Sequence, residues 1–264
     1  MVSQELIDFS LFGVIIMGIV PFITGIVLIK MQKLWGSNFT AGLITAGVVV
    51  IVNKILSVVI SLLFPSSEEN AFFFTEKSVP ASVVIMILSG VITALLMCVC
   101  VSICSEKKFN MKEAASCGLG LGVGYLMSSA FNLLVIRQNL IQIENGGFDL
   151  KGYEAISKGY LDQKTIDLTK LAYTSITFED MLSQVIFSFG VAMLCVACGI
   201  LIMRGIYAKK LKSGAAISAV TIAAAGVIYC VVPSIVIGSV ISAVIGIAVL
   251  IFSIKTKIGE NNNT

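Results

Sequence analysis

The stretch GAAISAVTIAAAGVIYCVVPSIVIGSVISAVIGIAVLIFSI, from Gly214 to Ile254, carries no charged side chain and is broken only by Pro233. Crossing the hydrocarbon core of a bilayer takes about 20 mostly apolar residues. The run is too long for one span and right for two. Proline lacks a backbone N–H and disfavours helix in the residue before it, so Pro233 marks the turn of a helical hairpin. Five more stretches of this kind lie upstream, so the seven expected spans are 8–30, 39–64, 81–104, 113–136, 181–204, 214–232 and 234–254. The composition agrees: of 264 residues 57% are hydrophobic and 12% charged, with mean hydropathy +1.01. Soluble domains are nearer 45–50% apolar and about 25% charged. The fold class is therefore an all-α polytopic membrane protein, a single helical domain over 1–264. The first span is too long for a signal-peptide core, and no small-residue cleavage site follows it.

Orientation follows from Lys and Arg, which collect on the cytoplasmic side. An outside N-terminus places Lys30, Lys33, Lys107, Lys108, Lys112, Arg204, Lys209, Lys210, Lys212, Lys255 and Lys257 inside, 11 of the 18 basic residues. The other side receives Glu5, Asp8, the Glu68–Glu69–Glu76 loop and segment 137–180, which holds five basic and seven acidic residues. The expected topology is N-out, C-in, in a bacterial cytoplasmic membrane, with Trp35 as an inner interfacial anchor. Segment 137–180 is too polar to span. Its apolar residues at 153, 156, 160, 161, 166, 168 and 171 suggest short surface helices after a Gly146–Gly147 turn. They serve either as a solvated connector or as a lid. Asn261–Thr264 reads as a frayed tail.

The chain contains no histidine. That excludes His-based metal centres, Ser–His and Cys–His nucleophiles and an imidazole pH switch. The net charge of +3 is too small and scattered for a nucleic-acid surface. No metal and no cofactor is expected. The cysteines at 98, 100, 104, 117, 195, 198 and 230 all fall in or beside spans, so no extracytoplasmic disulfide is expected. Cys195-x-x-Cys198, with no second pair, reads as two small hydrophobes. Gly118-Leu-Gly-Leu-Gly-Val-Gly124 fails the dinucleotide-binding pattern and follows no strand. Its Gly118/Gly122 and Gly120/Gly124 spacings instead let neighbouring helix backbones approach closely.

Lys54 is the sharpest single residue, about 15 Å from the outer end of its span at 1.5 Å per residue. A charge inside the membrane normally faces the bundle interior or water and marks a functional site. Polar residues recur at similar depth: Asn53, Ser57 and Ser61 on the second span, Tyr125, Ser128, Ser129 and Asn132 on the fourth, Gln184 and Ser188 on the fifth. They form either an outer-half polar pocket around Lys54 or ordinary interhelical hydrogen bonds.

Ile19–Lys30 followed by Ser37–Gly42, the lysine-rich turn Lys107–Lys112 leading to the Gly-rich fourth span, and Asn139–Gly147 together resemble the YhfC family of intramembrane proteases, related in outline to the CAAX-protease-like glutamic proteases. The similarity covers most of the chain. The family's Gly-x-Gly-His-Gly-Gly-x-Glu pattern would place its histidine at Leu121 and its glutamate at Tyr125. Its Glu-Glu-x-x-Arg-like motif would fall at Thr93, Ala94 and Met97. None of the five positions keeps a catalytic group, and water activation needs a carboxylate or a metal. The resemblance thus implies a catalytically silent member that binds a peptide, a lipid or a partner membrane protein. Two other expectations stand beside it: a small-solute transporter or permease subunit, weakened by the absence of visible inverted repeats, and an active protease using atypical residues such as Asp180.

Overall fold

In the computed structural model, the described residues are 4–32, 36–63, 79–104, 110–149 and 163–255, with isolated positions 152, 154, 158 and 159. Trp35, Lys33, Lys107, Lys108, Lys257, the Glu68–Glu76 loop, positions 153, 156, 160 and 161 and the 261–264 tail lie outside them, as does the side chain of Ser61. The described elements are helical: α1 Gln4–Val14, a π-turn Ile15–Ile19, α2 Val20–Gln32, α3 Gly36–Leu63, α4 Val79–Cys104, α5 Met111–Glu144, α6 Gln163–Thr174, α7 Phe178–Tyr207, α8 Leu211–Val231 and α9 Ile235–Lys255. Seven units are long and apolar enough to cross a membrane: α1 with α2, then α3, α4, α5, α7, α8 and α9. The chain is an all-α polytopic membrane protein.

Local chemistry explains the ends and irregularities. Pro21 would collide with the carbonyl of Met17 in a regular helix, and the wider π-turn over Ile15–Ile19 makes room for it. Asn110 caps α5, its Oδ1 accepting from the Lys112 amide at 3.0 Å and its Nδ2 donating to Glu113 Oε1 at 2.9 Å. Thr177 and Asp180 form a reciprocal capping box at the start of α7. α8 stops at Val231 and α9 starts at Ile235, bracketing Pro233 as the sequence implies.

α7 is the hub. Of its most apolar stretch 72% is buried, against 17–44% for the other six spans. Small residues set the spacing. A Cβ on Gly118 would meet the Cys195 carbonyl of α7 at 2.7 Å, and one on Gly122 the Ala192 carbonyl at 2.9 Å. A Cβ on Gly120 would lie 2.1 Å from the Phe39 carbonyl of α3, and one on Gly124 would press on Ala46. The two small-xxx-small pairs of α5 therefore serve two different neighbours. Cys195 and Cys198 are buried in the apolar core, and Cys100 and Cys117 meet Sγ to Sγ at 3.1 Å between α4 and α5.

The fourth span runs eight residues beyond the expected end, because Arg137–Glu144 is helical though too polar for the hydrocarbon. The next helical segment is offset by a turn at Asn145 and Gly146, whose φ of +70° suits glycine. α6 lies against the outer end of α5. It buries Ile166 and Tyr173, and Lys170 ties it to Asp149 at 2.7 Å. Burial raises the Tyr173 phenol above its ordinary pKa, while a hydrogen bond with Asn139 pulls the other way.

Candidate functional site

α3, α4, α5, α7 and α8 line a partly open cavity of about 50 Å³. Asn53 of α3, Ser89 and Thr93 of α4 and Tyr125 of α5 supply its polar lining. Ala46, Val49, Met86, Leu121, Phe187, Val191, Cys195, Ile222 and Gly226 complete it. Asn53, Thr93, Tyr125, Cys195 and Ile222 each lie in the middle third of their helices, so the cavity is centred on the bundle rather than on its outer half.

No charged side chain is among the lining residues. Among the described residues, the buried Oδ1 of Asn53 has no hydrogen-bond partner. A buried acceptor left without a donor costs about 1–3 kcal/mol. Phe187 stiffens one wall by stacking on Tyr229, with ring centroids 4.2 Å apart and planes inclined by 20°. The arrangement suits a neutral, mostly apolar ligand with one hydrogen-bonding group. Among the described residues, no group of three His, Cys, Asp or Glu side chains is placed to hold a metal ion.

Of the nine site residues read from the sequence, only Asn53 and Tyr125 line this cavity. Lys54 is exposed on the outer surface of α3, flanked by Ile51 and Ile55. Successive helical residues are turned by about 100°, so with Asn53 facing inward its neighbour faces the lipid. Ser188 donates to Ser129 at 3.0 Å, a buried bridge from α7 to α5 away from the cavity. Ser57, Ser128, Asn132 and Gln184 are half-buried and line none of it. No lining residue comes from segment 137–180. Asp180 is occupied at the helix start, its Oδ2 accepting from the Thr177 amide at 2.8 Å and hydroxyl at 2.7 Å.

Sequence reasoning missed Ser89, Phe187 and Cys195, and considered Thr93 only as a substituted position. Ser89 and Thr93 are four residues apart on one face of α4, the same signal that singled out Asn53 and Ser57. The positions given by the family resemblance gather more tightly than the polar stripes. Thr93, Leu121 and Tyr125 all line the cavity, with Ala94 and Met97 buried in the bundle. Comparison of the chain with protein-family models, with curated proteins and with solved structures finds no match.

Proposed function

We propose that this integral membrane protein is a non-catalytic relative of the YhfC-type intramembrane proteases, working in the bacterial cytoplasmic membrane. It holds a neutral membrane-dissolved ligand, a lipid or a peptide segment, in the mid-bundle cavity. One observation carries this reading: Asn53, whose Oδ1 has no partner among the described residues, stands in the wall of a cavity with no charged lining residue. The convergence of Thr93, Leu121 and Tyr125 on the same space supports the link to the protease family. In such a relative the cleft that positions a scissile bond keeps its place and loses the groups that activate water.

A photoactivatable monoacylglycerol, neutral and ending in hydroxyl donors, tests the reading in liposomes. Its adducts should map to Thr93, Leu121 or Phe187, and Asn53→Leu should weaken capture about tenfold, as loss of one hydrogen bond in a low-dielectric site implies. Ser57→Ala, away from the cavity, should leave capture intact. Adducts spread evenly over the lipid-facing helices, or capture indifferent to Asn53→Leu, would overturn it.

A further inference from the structure

Two thiols meet where two spans otherwise barely touch. α4 packs on α3 and α8, and α5 on α3 and α7, whereas α4 and α5 meet only sparsely. Within that meeting, Cys100 of α4 and Cys117 of α5 stand Sγ to Sγ at 3.1 Å. A disulfide bond is about 2 Å long, so the two sulfurs need to close by only about 1 Å. Neither is in a disulfide as the chain stands, and neither lines the cavity.

Burial selects what can reach them. Cys100 is 5% exposed and Cys117 fully buried. Exchange with another thiol or disulfide needs direct attack at sulfur, which this burial denies to reagents as large as glutathione or a redox protein. Hydrogen peroxide is small and neutral, and the sparse packing between α4 and α5 offers it a way in. Buried thiols react slowly, so such a pair answers sustained peroxide rather than a brief pulse.

We propose that Cys100 and Cys117 form a peroxide-responsive dithiol, whose disulfide clamps α4 to α5 within the membrane. One thiol sulfur attacks hydrogen peroxide, the O–O bond breaks, and a sulfenic acid and one water form. The second sulfur then attacks the sulfenic sulfur. The S–S bond forms, the S–O bond breaks, and the hydroxyl leaves with the second thiol's proton as another water. Two thiols are oxidised, one peroxide is reduced, and the sum is one disulfide and two waters. The same burial shields the bond from reducing thiols, so the clamp persists. Thr93 lies seven residues from Cys100, and Leu121 four residues from Cys117, about two turns and one turn away. The clamp therefore fixes two walls of the cavity against each other, whatever the cavity holds.

A chain that keeps only Cys100 and Cys117, with a site-specific protease sequence placed within residues 105–109, tests the pair in liposomes. After hydrogen peroxide and cleavage, the two fragments should migrate as one band without reductant and separate with dithiothreitol. Cys100→Ala or Cys117→Ala should lose the joined band altogether. Keeping Cys98 in place of Cys100 should give little of it, because two residues turn the thiol by about 200° around α4. Mass spectrometry of peroxide-treated wild-type protein covers the event that an altered chain fails to fold, and should find the Cys100 and Cys117 peptides joined. Fragments that stay apart with peroxide and with copper phenanthroline would overturn the contact, as would equal joining through Cys98. Joining by copper phenanthroline alone would overturn the peroxide assignment. Separate sulfinic or sulfonic acids at the two positions, in place of the link, would do the same.

Discussion

Asn53 and Lys54 show how much one residue of helical phase decides. Both are polar groups inside a span, and hydropathy treats them alike. Asn53 ends as a buried acceptor in the cavity wall and Lys54 as an exposed cation. Sequence reading found the polar positions but lacked the phase of α3 against its neighbours, which is set by backbone contacts rather than by polarity. Glycines set that phase. A Cβ on Gly42 would lie 2.1 Å from the Cys117 carbonyl, whereas one on Gly47 would meet nothing within 4 Å. The same substitution at two positions of one helix should therefore differ in sign. Gly42→Ala should force α3 off α5 and cost on the order of 1–3 kcal/mol. Gly47→Ala should leave stability unchanged or raise it by up to about 1 kcal/mol through helix propensity. Unfolding of the two variants by denaturant in mixed micelles checks this, and equal losses at both sites would contradict the packing.

At the scale of elements, the seven spans and the proline hairpin were legible because each rests on a signal counted along the chain. Elements governed by other physics were not. Five of the last eight residues of α5 are polar or charged, and a hydropathy pattern stops where the hydrocarbon does while the backbone goes on making helical hydrogen bonds in water. The π-turn of the first span follows from Pro21 only once the helix around it is known. The start of α7 separates two readings of one carboxylate. Asp180 draws notice as an acid near the membrane, yet it accepts two hydrogen bonds from Thr177 and lies two turns, about 10 Å, outward of Phe187. Thr177→Ala or Asp180→Ala should lower stability by about 1 kcal/mol, the usual worth of a cap. Capture of the monoacylglycerol probe should not change. Loss of capture with stability intact would place Asp180 in the binding machinery and count against a purely structural role.

For the whole molecule, the cavity follows from how the bundle is built. α7 packs on α5, α8 and α9 through small residues, with Gly190 against Ala243 and Gly199 against Ala114. Close contacts of this kind draw backbones together at fixed heights. They leave space at the level of Phe187 and Tyr125, where α7 stands off α3 and α5 meets α4 only sparsely. A polar acceptor at that level stays buried in either orientation of the protein, but the route by which a ligand arrives depends on which end faces the cytoplasm. The distribution of Lys and Arg places the α7–α8 turn, with Lys209 and Lys210, inside, and α6 outside. Single cysteines introduced by Gln163→Cys and Lys209→Cys into a cysteine-free background, both at exposed positions, turn that asymmetry into a measurement. A membrane-impermeant maleimide applied to intact cells should label position 163 and leave position 209 untouched until the membrane is opened. The reverse pattern would invert the bundle, placing Asn53 nearer the cytoplasmic leaflet and α6 on the side from which soluble partners reach it. Labelling at both positions in intact cells would mean that the seven helices do not all cross.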